Sequence, residues 1–129
     1  ARHASPQKVA AGSMVLLKND DKILPLKKGQ KVAVICEMAK APRFQGAGSS
    51  VINPTMLSNA YDELEKLGVD LTYSQGYYKS APTKKDKNRK SDAELTKEAV
   101  AAAKSADVAV VFVGLTEDFE GERNNQYAC

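Results

Sequence analysis

Two short uninterrupted apolar runs, residues 31–36 (KVAVIC) and 107–113 (DVAVVFV), constrain this chain more than any other feature. A strand with one wet face alternates apolar and polar residues. A run without alternation and rich in β-branched side chains therefore reads as a strand covered on both faces. Covering both faces takes helices above and below, and strands joined through helices pair in parallel. The stretches between the two runs supply those parts. Asn53 and Pro54 have the residue types of a helix cap and first helical position; Leu57, Ala60, Tyr61, Leu64 and Leu67 then form one stripe, and Gly68 ends it. Residues 69–73 (VDLTY) make a third strand. Ser91-Asp92-Ala93-Glu94 is a capping box, in which the serine hydroxyl and the glutamate carboxylate each accept from the other's backbone amide. The helix it opens runs through about Ser105, with Leu95, Ala99, Ala102, Ala103 and Ala106 inward.

Ahead of these elements, Ser5 and Pro6 start a helix that carries Val9, Ala10, Leu16 and Leu17 at helical spacing and fails at Asn19, Asp20 and Asp21. Pro25 has no amide hydrogen, which keeps the Ile23 to Leu26 stretch from being a central strand. The expected fold class is α/β, a partial three-layer α/β sandwich with a mainly parallel sheet. Three strands are fewer than the five or six usual for a sheet, and no covering helix follows the last apolar run. The sheet is therefore expected to be incomplete in this chain and to continue past Cys129 in a longer parent. On this reading residues 1–28 are a lead-in helix and linker from a preceding domain, and residues 29–129 are the first part of the sandwich.

Of the 129 residues, 43% are apolar and 27% charged, enough to bury one domain's core. No apolar run approaches the roughly 20 residues a bilayer-crossing helix needs, and Ala1-Arg2-His3 lacks the layout of a signal peptide. The net charge is +3, yet residues 79–90 hold six basic side chains against Asp86, so that segment carries +5 and the remainder −2. Such concentration fits a solvated loop better than a basic face for nucleic acid. Cys36 and Cys129 form neither a metal pair nor a disulfide framework, and the single histidine leaves no zinc cluster. Neither a cofactor nor a metal is expected.

Ligands of an open parallel sheet gather outside the carboxyl ends of its strands, which selects two loops. One contains Arg43-Phe44-Gln45-Gly46-Ala47-Gly48-Ser49-Ser50. It does not match the dinucleotide fingerprint, because Val51 stands at the third glycine position and the loop begins about ten residues after its strand. A plain turn and a ligand-facing loop of another kind both remain open. The other loop places Glu117, Asp118, Glu120 and Glu122 beside the end of a buried strand. Crowding and burial raise carboxylate proton affinity, so one of the four can serve as a general acid, the alternative being a solvated acidic turn.

Taken together, Ser13 to Asp20 (SMVLLKND), Ile23-Leu24-Pro25-Leu26, residues 31–35 (KVAVI), the Arg43 to Ser50 loop with Asn53-Pro54, and Ala106 to Gly114 (ADVAVVFVG) strongly resemble glycoside hydrolase family 3, the β-glucosidase group. The resemblance spans nearly the whole chain and matches the start of the family's second domain, an α/β sandwich that follows a TIM-like barrel. It implies retaining hydrolysis of a β-glucoside or related oligosaccharide in a cleft between the two domains. A barrel aspartate attacks the anomeric carbon, and a glutamate of the second domain protonates the leaving oxygen. Retaining carboxyls stand about 5–5.5 Å apart, so both must meet in a closed cleft. Glu120-Gly121-Glu122 fits the family's acid loop and points to Glu122 as the acid/base, with Glu120, itself followed by glycine, as second candidate. The continuation from Arg123 lacks the family's Gly and Asp-Arg pair. Arg43, Gln45 and Ser49 are implied as substrate contacts bordering the cleft. The chain has no barrel, so by itself it is expected to be inactive and, with an open sheet edge, prone to self-association. The competing reading is a complete small α/β module that binds a carbohydrate or nucleotide through the Arg43 to Ser50 loop without catalysis.

Overall fold

The computed structural model describes residues 4–46, 51–80 and 88–116. Its elements are α1 (Ala4–Gly12), β1 (Lys31–Ile35), a 3-10 turn (Glu37–Ala39), α2 (Ala60–Lys66), β2 (Asp70–Ser74), α3 (Asp92–Lys104) and β3 (Val108–Val111). The strands form one parallel sheet in the order β2-β1-β3. β1 pairs with β2 from Lys31 opposite Asp70 to Ile35 opposite Ser74, and with β3 from Val32 opposite Val108 to Ile35 opposite Val111. At the entry edge, the Lys31 amide donates to Asp107 Oδ2 at 2.9 Å while the Asp107 amide donates to the Lys31 carbonyl at 2.8 Å.

β1 is the buried centre that its unalternating sequence predicts, and Val32, Ala33 and Val34 have no exposed surface. Its two sets of side chains enter different layers. Ala33, Ile35 and Cys36 pack with Ala99, Ala102 and Ala103 of α3, whereas Val32 and Val34 pack with Tyr61 and Leu64 of α2 and with Leu71, Tyr73, Val108 and Val110 of the flanking strands. Helices thus lie on opposite faces of a parallel sheet, and the fold is the partial α/β sandwich expected.

Local signals hold well in α3. The Glu94 amide donates to Ser91 Oγ at 3.3 Å and the Ser91 amide to Glu94 Oε2 at 2.8 Å, so the capping box is complete. Gly68, with φ +72°, ends α2 as read.

Two boundaries and the burial of one strand differ from the sequence expectation. α1 stops at Gly12 rather than near Leu17; Ser13 Oγ donates back to the Ala10 carbonyl, and Leu16 and Leu17 are exposed. A helix this short depends on packing for its stability, and Met14 to Leu17 are all largely exposed. α2 begins at Ala60 rather than after Asn53. Its cap is Asn59, whose side chain accepts from the Asp62 amide at 2.8 Å. Residues 51–59 stay out of helix, and just before Asn53 the Gln45 side-chain amide bonds both backbone groups of Ile52. β3, finally, is not as covered as β1: Val108 and Val110 are half-buried, but Val111 is 53% exposed because α3 lies over β1 and β2.

Candidate functional site

The order β2-β1-β3 sets the exits of β1 and β3 side by side, with the exit of β2 on the other flank of β1. An open groove of about 270 Å³ lies there, lined by Met38, Pro42, Arg43, Phe44 and Gln45 from the loop after β1, Lys79 and Ser80 from the loop after β2, and Thr116 from the segment after β3. This is the position at which doubly wound sheets collect ligands.

The groove starts from an unusual backbone. Cys36, the residue after β1, has φ +88° and ψ 148°, a conformation that L side chains rarely adopt. This bend throws the chain into the Glu37–Ala39 turn, with Met38 and Ala39 buried beneath the groove. Gly76 passes close by with φ +67°; a Cβ there would meet Cys36 Sγ and Ile35 Cγ2 at 3.0 Å each, so both the dihedral and the space require glycine. Burial pushes the Cys36 thiol above its ordinary pKa, against a backbone hydrogen bond from Phe112 that lowers it. The thiol is thus a packed neutral group rather than a nucleophile.

Glu37 laces the first two loops together. Its Oε2 accepts from Gln75 Nε2 at 2.9 Å and from the Lys79 amide at 3.1 Å, and Lys79 Nζ donates back to the Ala41 carbonyl at 2.7 Å. Tyr73 donates to Gln75 Oε1 at 3.0 Å, extending the network to the end of β2. Burial and the Glu37 carboxylate both raise the Tyr73 pKa, so this hydroxyl stays a donor over the whole physiological range. Lys40 lies 4.1 Å from the Tyr61 ring centre and 4.0 Å from that of Tyr73, and these rings meet edge to face at 5.7 Å. Its charge is therefore held beside aromatic faces away from the groove lining.

The third loop is tied in from both sides. Arg43 Nη1 donates to the Leu115 carbonyl at 3.4 Å, and the Tyr77 hydroxyl donates to the Phe112 carbonyl at 3.2 Å. Thr116, the next lining residue, has a buried hydroxyl with no hydrogen-bond partner among the described residues.

Of the residues singled out in the sequence, Arg43 and Gln45 reach the groove; Ser49, Glu120 and Glu122 lie outside the described residues. The amide of Gln45 is engaged with Ile52, donating to its carbonyl at 3.2 Å and accepting from its amide at 2.9 Å, so it closes the base of the glycine loop. Sequence reasoning missed Glu37, Gln75, Tyr77 and Lys79. Glu37 had one signal, a charge directly behind an apolar strand at its carboxyl end. Lys79 was hidden in the basic run. The far end of that run is held locally, with Arg89 stacked 3.9 Å from the Tyr78 ring and Lys90 paired with Glu98; residues 81–87 are outside the described set. Among the described residues no cluster of three or more His, Cys, Asp or Glu side chains is placed to hold a metal ion.

The lining combines the apolar Met38, Pro42 and Phe44 with the cationic Arg43 and Lys79, a mixture that suits a ligand with both apolar and polar groups. Fold and groove together define a doubly wound α/β sandwich domain with its ligand side at the strand exits. Comparison with known proteins gives the family. Residues 14–128 match the family model described as glycosyl hydrolase family 3 C-terminal domain. The chain is 48% identical over 125 residues to a thermostable β-glucosidase B of Acetivibrio thermocellus, covering 95% of this chain and 16% of that protein. It is 41% identical over 122 residues to an exo-α-(1→6)-L-arabinopyranosidase of Bifidobacterium longum, covering 88% and 15%. The crystal structure of a glycoside hydrolase family 3 β-glucosidase from Bifidobacterium adolescentis superposes with a TM-score of 0.75 at 43% identity, covering 89% of this chain and 16% of that one. The chain belongs to the glycosyl hydrolase family 3 C-terminal domain family, and it spans about one sixth of the length of these relatives.

Proposed function

We propose that this chain is the acid-bearing wall of a retaining β-glycosidase, with residues 1–28 leading in from a TIM-like barrel domain and residues 29–129 forming the first part of the sandwich. The barrel supplies an aspartate that attacks the anomeric carbon. As the bond to the aglycone breaks, its electron pair leaves on the glycosidic oxygen, which takes a proton from Glu122. The resulting carboxylate then removes a proton from water, which hydrolyses the glycosyl ester and restores both groups. Glu120 is the second candidate for this acid, and Arg43, Gln45 and Ser49 border the substrate.

One observation carries the reading. The exit of β3 is tied at Leu115 to Arg43 on the rim of the groove, and Thr116, the last described residue before Glu117, lines that groove, which supports a site at this exit. The names of the relatives support a glycoside as substrate. Because relatives of similar identity are named for a glucoside and for an arabinopyranoside, we assign the choice of sugar to the barrel rather than to this chain.

The test uses the full-length protein. Glu122→Gln should slow an alkyl β-glucoside by about 10²–10⁴-fold, the usual range for losing a general acid, and a dinitrophenyl β-glucoside far less, because that leaving group needs little protonation. Leaving-group dependence at Glu120→Gln with Glu122→Gln near normal moves the role to Glu120; none at either removes the loop from the mechanism.

A further inference from the structure

We propose that Arg43 and Tyr77 are positioning residues that aim the acid loop by holding the backbone of residues 112–116 from two sides; this rests on the acid/base role of that loop. The segment is the last described stretch before Glu117. It leaves the ladder after the Phe112 amide bonds to the Ile35 carbonyl at 3.0 Å, and beyond that point no strand on its outer side guides it among the described residues. Two side chains from the neighbouring exits take over. Tyr77, from the loop after β2, reaches over the end of β1 and donates to the Phe112 carbonyl at 3.2 Å. Arg43, from the loop after β1, donates to the Leu115 carbonyl at 3.4 Å. Between these anchors the backbone at Gly114 runs so close above Met38 that a Cβ there would lie 2.7 Å from its sulfur. Two carbonyls are thus pinned on either side of a close backbone-to-side-chain contact.

The anchors are themselves held. Tyr77 packs against the Ala33, Ile35, Cys36 and Ala102 cluster, and burial keeps its hydroxyl protonated and donating. Arg43 sits on a loop that Lys79 fixes through the Ala41 carbonyl. A general acid contributes only within hydrogen-bond reach of the leaving oxygen, so a shift of the segment's root changes proton donation before it changes binding. Arg43 therefore acts through the acid loop besides bordering the substrate.

The experiment compares Tyr77→Phe and Arg43→Gln in the full-length protein, with Glu122→Gln and Glu120→Gln as reference. Tyr77→Phe removes one hydroxyl and keeps the packed ring. For both variants we expect kcat on an alkyl β-glucoside to fall about five- to tenfold, the equivalent of one hydrogen bond, with less than about twofold change on a dinitrophenyl β-glucoside. Inhibition by free glucose should be unchanged at Tyr77→Phe, and for both variants the basic limb of the kcat profile on the alkyl substrate should move. Arg43→Lys should recover part of the loss. An equal fall on both substrates, tracking thermal stability, marks a purely structural role and overturns the inference. So does weaker glucose inhibition at Arg43→Gln without leaving-group dependence, which marks a sugar contact. If a glutamate variant shows leaving-group dependence and these two do not, only this inference fails; if no glutamate variant shows it, the acid-loop reading fails and this inference with it.

Discussion

Replacing Cys36 by glycine and, separately, by alanine probes the conformation on which the whole groove is built. Cys36 holds φ +88° and ψ 148° at the end of the central strand. A residue with a Cβ held in a sparsely populated region costs about 1–3 kcal/mol, and the upper part of that range applies where the region is essentially restricted to glycine. The side chain is 4% exposed and packed in the α3-facing cluster, so removing it carries its own loss. Comparing the two variants cancels most of that, since both lack the sulfur. What differs is one buried methyl, about 0.8 kcal/mol, and the unfolded-state freedom of glycine, about 0.5–1 kcal/mol. At an unstrained site alanine would therefore lead by about 1.3–1.8 kcal/mol. Strain near 3 kcal/mol reverses the order, and Cys36→Gly should be the more stable variant by about 1.2–1.7 kcal/mol. Urea unfolding of both variants, followed by circular dichroism with equal m-values, measures this difference. Alanine leading by a kilocalorie or more would refute the claim that the turn out of β1 stores strain.

Ser91→Ala should cost α3 about 1 kcal/mol by removing its N-cap. Hydrogen bonds from the Ser91 amide and hydroxyl lower the Glu94 pKa, so the capping box contributes fully above the ordinary glutamate range and is lost as pH falls through the lowered value. Alanine keeps the backbone amide but loses the hydroxyl that bonds Glu94, so the stability gap between the parent chain and Ser91→Ala in denaturant titrations should narrow on acidification; a gap that widens at low pH contradicts the assignment. The purified 129-residue chain should not turn over a nitrophenyl β-glucoside if the nucleophile belongs to the barrel as proposed, and steady turnover above a Glu122→Gln control would overturn that. The same chain should self-associate through β3, whose Val111 and Val113 are exposed beside an unpaired backbone edge among the described residues; a monodisperse monomer in light scattering would count against it.

What the sequence determined here is whatever depends on a residue's near neighbours. The unalternating run of β1 specifies a strand buried on both faces because side chains two apart share a face, and Val32 to Val34 are indeed sealed. Ser91 and Glu94 mark the start of α3 because the bonds they make span three residues, and Gly68 marks an end because its dihedral suits only a few residue types. The family, too, was legible, since its motifs are local strings in a fixed order. Tertiary structure alone decided where two comparable local signals competed or where partners lie far apart in the chain. Asn53 and Asn59 are both good caps, and only the folded chain shows that the helix starts from Asn59. β3 is as apolar as β1, yet strand order and the path of α3 leave Val111 uncovered. Glu37 meets Gln75 and Lys79 about 40 residues away, and Arg43 meets Leu115 across 72. No window of sequence contains both ends of such a bond, because the sheet order that brings them together emerges only when the crossovers close.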